Sequence, residues 1–73
     1  MTRLTPIPGR VVCRKLKKAG FELIRQKGSH AFWRHPDGRC TVVPMHKGED
    51  IGRGFLRSIL NDVDINLEDF LEL

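Results

Sequence analysis

The chain is expected to fold as an α+β domain in the order α-β-β-β-α, with a three-stranded antiparallel sheet and its helices packed on one face. Three observations predict this. Apolar residues recur at helical spacing near both ends of the chain, whereas the middle alternates apolar and polar residues with period two. A Pro36-Asp37-Gly38 turn joins two of the alternating runs, as a hairpin requires. At 73 residues the whole chain, 1–73, forms one compact unit. A domain of this size buries only about 60% of the surface its unfolded chain exposes, which argues against a deep cofactor pocket.

Residues 1–8 carry two prolines and no period, the pattern of an extended arm leading into a helix. From Gly9 to Ala19, Val12, Cys13, Leu16 and Ala19 fall on one helical face. Arg10, Arg14, Lys15, Lys17 and Lys18 fill the remainder, and Gly20 stops the helix. Phe21 to Gln26 reads as a first strand, His30 to His35 as a second and Arg39 to Met45 as a third. With a three-residue loop His35 pairs with Arg39 and His30 with Pro44. That register puts Ala31, Trp33, Thr41, Val43 and Met45 on the buried face, and His30, Phe32 and Arg34 on the other. After a glycine-containing loop, Gly54 opens a second helix with Leu56, Ile59, Leu60 and Val63 on its apolar stripe. Asn66 caps a short acidic third helix, with Ile65 and Phe70 placed to form a hydrophobic staple.

Charge divides the chain. Residues 1–57 hold all 13 Lys and Arg against four acids, a balance of +9, whereas residues 58–73 hold five acids and no base, −5. Clustered bases point to a polyanion, with nucleic acid ahead of membrane because no amphipathic stretch is long and apolar enough to lie in lipid. Composition alone fits a merely solubilising basic surface as well. No apolar run is long enough for a signal peptide or a membrane span, so a cytoplasmic location is expected. Cys13 and Cys40 make no CxxC pattern and read as buried thiols.

Lys27-Gly28-Ser29-His30 forms a turn that sets an imidazole beside backbone amides and a small hydroxyl, a place where an anion can sit. Imidazole is the side chain whose ordinary titration spans neutral pH. A lone exposed histidine is more often simply solvated, but His46, two residues past Pro44, shares the parity of His30 at the same sheet edge, and Lys27 and Lys47 flank the pair. Two imidazoles with two ammonium groups suit a scissile phosphodiester. RNA supplies its own nucleophile, the 2′-hydroxyl, and so needs only a base and charge balance, without a metal. Zinc on His30, His35, Cys40 and His46 fails on parity and spacing. Arg34, Arg53, Arg57, Arg14 and Lys18 are candidate phosphate contacts, with a solvated basic face as the alternative. Of the aromatics, Phe32 has the face for stacking on bases, Trp33 and Phe21 belong to the core, and Phe55 is open to either reading.

Four segments, from Gly20 through His30, from Arg34 to Arg39, from Val43 to His46 and from Gly54 to Leu60, together resemble the HicA toxins of bacterial and archaeal toxin–antitoxin modules. Ala31 stands where relatives often carry a second histidine or a larger residue, and Phe55 replaces a commoner threonine. The resemblance implies a double-stranded-RNA-binding-like fold and an mRNA interferase, a metal-independent ribonuclease without cofactor whose catalytic histidine is that of the Gly-Ser-His segment, His30. It implies a HicB antitoxin as partner, covering that histidine. Lys27, Gly28, Ser29 and His46 are then assisting candidates. A non-catalytic RNA-binding module of the same fold is the alternative.

Overall fold

A computed structural model describes residues 3–73. Its elements are β1 (Ile7–Pro8), α1 (Gly9–Lys18), β2 (Glu22–Lys27), β3 (His30–Arg34), β4 (Cys40–Pro44), β5 (Asp50–Ile51), α2 (Arg53–Val63) and α3 (Leu67–Leu71). Strands β2, β3 and β4 form an antiparallel sheet in that order, and β1 pairs with β5 in a separate two-stranded ribbon. Helices pack against the sheet, as the α-β-β-β-α order requires.

The buried face is the one that alternation selects. Ala31, Trp33, Thr41 and Val43 lie under Val12 and Leu16 of α1 and Leu56, Ile59 and Val63 of α2. Pairing runs His30↔Pro44 through Arg34↔Cys40, and the His35 N–H donates to the Arg39 carbonyl at 2.7 Å, closing the Pro-Asp-Gly loop in the expected register. The Arg39 backbone N–H, followed by its guanidinium, holds the Asp37 carboxyl below the usual carboxylate range. The turn is therefore strengthened above that range and loses the contribution as pH falls through the depressed value.

α1 ends in a Schellman motif. The Gly20 N–H bonds the Lys17 carbonyl and the Phe21 N–H the Leu16 carbonyl, with Gly20 at φ 98° and Phe21 and Leu16 both buried. A Cβ at Gly20 would also come within 3.0 Å of His35 Nε2. His35 packs edge-on against Phe21 at 5.0 Å, so it belongs to this joint. At α3, Asn66 Oδ1 accepts the Asp69 N–H at 2.8 Å and Phe70 enters the core, with Ile65 packed beside the core.

Several expectations need correction. The end of the 1–8 arm is β1: buried Ile7 pairs with Ile51, because two apolar residues at matching positions close the core where the first helix starts. The loop after β4 correspondingly contains β5. α2 starts at Arg53, with Gly52 in extended conformation before it, one residue ahead of the expected start. β2 is exposed along its length and carries a bulge between Leu23 and Arg25 that alternation cannot foresee. Cys13 is half-buried and Cys40 exposed, since Cys40 shares the outward parity of Arg34.

Lys15, assigned by periodicity to the solvated side of α1, is 8% exposed. Its ammonium donates to the carbonyls of Leu71 and Leu73 at 2.9 and 3.0 Å and lies 6.0 Å from the Phe70 ring centroid. A long stem can bury its methylenes while the head satisfies carbonyls at a helix end. Lys15→Met keeps the stem and removes both charged hydrogen bonds. The expected loss is about 1–2 kcal/mol, read as a melting temperature lower by about 5–10 °C. A melting curve unchanged from the parent would show that α3 is held by its apolar contacts, Phe70 foremost, and not by Lys15.

Burial pushes the Cys13 thiol up, more than the neighbouring Trp33 N–H draws it down. Trp33 Nε1 makes no hydrogen bond of normal geometry, so this sulfur is only a weak acceptor for it. A raised thiol holds less thiolate at a given pH, and thiolate is the reacting form. Iodoacetamide at pH 8 should therefore modify Cys40 well before Cys13, and mass spectrometry of the peptides measures the order.

Candidate active site on the outer sheet face

The site is built on the β2–β3 hairpin. Lys27 pairs with His30, leaving Gly28-Ser29 as a two-residue loop. Gly28 takes φ 57° and Ser29 does not share a positive φ, so the first loop position is the one that favours glycine. Nothing lies within 4 Å of a Cβ at Gly28, so the glycine answers to backbone conformation and not to crowding.

A cross-strand pair shares one face, its Cβ atoms about 4.5–5.5 Å apart. Lys27 and His30 thus stand side by side on the face turned away from the helices, both exposed. Ser29 is half-buried, and its carbonyl accepts the Met45 N–H, tying the turn to the end of β4. The arrangement presents an imidazole, open to solvent, beside a cation on the paired strand. Such a pair can exchange a proton with a bound group and balance negative charge on it.

The other expected residues separate into distinct places. Phe32 and Arg34 follow His30 outward along β3, and Arg25, paired with Phe32, sets its guanidinium 4.8 Å from the Phe32 ring centroid. His46 comes to the same end of the sheet through the Met45–Ser29 bond. The cleft it lines opens against Pro8, Gly9 and Arg10 and includes Lys47, but His30 is not part of its wall. Arg53 and Arg57, one turn apart on α2, border a separate cleft with Arg3. Arg14 and Lys18 stand exposed on α1. Among the described residues no three His, Cys, Asp or Glu side chains gather where a metal could sit.

Of two residues beside the site, Ile24 was not singled out from the sequence and Phe55 was left open between stacking and packing. Ile24, the bulged residue of β2, is 56% exposed and borders grooves with Phe32 and Arg34. Phe55 is 46% exposed and lies across from Phe32 and Val42 on the same groove. A bulge leaves no mark on apolar spacing, whereas the position of Phe55 just ahead of the stripe begun by Leu56 was a signal that it flanks the core.

A small α-β-β-β-α domain with an exposed histidine and cations on its open sheet face defines the class. The family model described as the HicA toxin of bacterial toxin-antitoxin matches residues 9–65, and the chain belongs to that family. No curated protein matches the chain. Membership makes the protein the toxin of a toxin–antitoxin pair and implies an antitoxin partner. No helix among the described residues is long and apolar enough to cross a membrane.

The turn geometry can be tested directly. Gly28→Val puts a β-branched residue at φ 57° and should lower stability by about 1–2 kcal/mol. Gly28→Asn should cost less, because asparagine tolerates that region. Equal melting temperatures for the two variants would mean that the turn relaxes to another conformation.

Proposed function

We propose that this toxin is a metal-independent endoribonuclease, an mRNA interferase, with His30 as its general base. The observation that carries the reading is the exposed His30–Lys27 pair at the tip of the β2–β3 hairpin. The imidazole takes the proton of an RNA 2′-hydroxyl. The oxygen so released attacks the adjacent phosphorus, the P–O5′ bond breaks, and the 5′-oxygen leaves as an alcohol after gaining a proton from solvent. The products are a 2′,3′-cyclic phosphate and a 5′-hydroxyl end. Lys27 balances charge on the non-bridging oxygens as the phosphorane forms. Backbone amides of the Gly28-Ser29 turn are further candidates for that task, and His46 is at most an assisting acid. Metal independence fits a substrate that brings its own nucleophile.

The partner is proposed to be a HicB-type antitoxin that covers His30. An acidic surface on it would compete with RNA for the basic body of the toxin, which holds all 13 Lys and Arg of the chain.

His30→Ala should abolish growth arrest and lower RNA cleavage by about 10²–10⁴-fold, the usual share of a general base. The variant should keep the parent's melting curve, since His30 is exposed and buries nothing. The assay is incubation of the purified protein with RNA in EDTA, with end-group analysis for cyclic phosphate. Cleavage at the parental rate would remove His30 from the mechanism. Intact RNA with salt-sensitive binding by the parent would favour a non-catalytic RNA-binding module.

A further inference from the structure

The outer sheet face carries more than a base and a cation. The β2 bulge brings Ile24 and Arg25 to this face together, where strict alternation would send one of them inward. Ile24, Phe32, Val42 and Phe55 wall a groove of about 440 Å³, with Ser58 and Asp62 on its α2 side. That volume accommodates a small planar ligand. Two of its apolar walls, Ile24 and Phe55, are about half exposed, an arrangement that marks a binding surface when contiguous and rimmed by polar groups.

Charge around the groove is polarised. Arg25, Lys27 and Arg34 stand on β2 and β3, the side of His30, against one acid there, Glu22, which pairs with Arg34. Asp62 stands opposite, where its carboxylate accepts the Thr41 hydroxyl at 3.0 Å. A phosphodiester is drawn to the first side and repelled from the second. A ligand with an anionic backbone and a flat, weakly polar appendage therefore lies in one orientation, backbone along the hairpin and appendage toward Phe55. A nucleotide has that form. Bases stack on phenylalanine rings and on guanidinium planes, and Arg25 over Phe32 at 4.8 Å supplies one of each.

We propose that this groove takes an unpaired nucleobase, so that the toxin reads single-stranded RNA across its sheet. The inference rests on the ribonuclease reading for the direction in which the strand is laid. Phe32 lies two residues along β3 from His30, about 7 Å, so the base in the groove belongs to a nucleotide adjoining the scissile phosphate. Bases locked in a duplex are stacked and paired and cannot enter.

The test uses the full chain carrying His30→Ala, so that RNA stays whole, and fluorescence anisotropy with a labelled single-stranded octamer and the matching duplex. The octamer should bind at least about tenfold more tightly. Adding Phe55→Ser should weaken octamer binding by about 5- to 150-fold, the range for loss of one base–aromatic stack, with an unchanged melting curve. Ile24→Ser should act in the same direction and less strongly. Equal affinity for duplex and octamer overturns the inference, as does octamer affinity unchanged by both groove substitutions. It is likewise overturned if those substitutions weaken capture of the antitoxin alone, which would make the groove a protein-docking face. Cleavage is read separately on chains with His30 intact. A parent that cuts RNA while its groove variants bind normally overturns the groove and leaves the ribonuclease. A parent that never cuts but binds the octamer through Phe55 does the reverse.

Discussion

The arrangement of this molecule follows from a sheet that buries one face only. Ala31, Trp33, Thr41 and Val43 must lie under α1 and α2, because they are the apolar and small side chains that the helices' Val12, Leu16, Leu56, Ile59 and Val63 meet. Side chains alternate with period two, so that burial turns His30, Phe32 and Arg34 outward. A slip of one residue would drive His30 and Arg34 into the core and expose Trp33. The Gly28-Ser29 turn at one end of β3 and the Pro36-Asp37-Gly38 turn at the other prevent it. The position of the candidate site is thus a consequence of the core, and a change in either turn reaches the site through register before it reaches it through chemistry.

Two cations hold the remaining elements to this sheet. Arg39 donates to Asp37 at 2.8 Å, lies 5.2 Å from the Phe21 ring centroid and donates to the Val63 carbonyl at the end of α2. Lys15 does the corresponding work for the carbonyls of Leu71, at the end of α3, and Leu73 beyond it. Both place positive charge where helix carbonyls lack partners, which is where a cation is most useful to a small core. Their charges are spent internally, so the surface offered to a polyanion is less basic than the count of 13 implies. The acidic last segment is likewise no free tail. Phe70 in the core and the Lys15 contacts dock it onto α1, so its carboxylates are a fixed part of the field that a partner meets.

Legibility in the sequence follows the range of the interactions. The hairpin register, the buried face, the helix stop at Gly20 and the Asn66 cap were readable, because each depends on residues within a few positions of one another. The β1–β5 ribbon was not, since Ile7 and Ile51 are far apart in the chain and two-residue strands have no period. Lys15 was misread because its charge says surface while its four-carbon stem permits burial. The bulge at Ile24 is invisible to any fixed spacing. The candidate site divides on the same line. Lys27 and His30 were legible as the ends of one turn, whereas the groove needs Ile24 and Phe55, brought together from a bulge and from a helix flank.

Openness is the physical problem that such a site has to solve. His30 and Lys27 are exposed, and among the described residues no element covers them, so bulk water weakens every electrostatic contact they make. A general base in that setting gains from having the reacting hydroxyl held at the right distance, since orientation can supply what exclusion of water cannot. On the proposed reading, a base anchored against Phe55 and Phe32 fixes the nucleotide beside the phosphate and leaves the backbone free to bend toward His30. A flexible single strand can take the in-line geometry that attack by its own 2′-hydroxyl demands, whereas a duplex resists it. Stacking and single-strandedness then act on the same step, and a small domain without a deep pocket obtains its positioning from the substrate's own base.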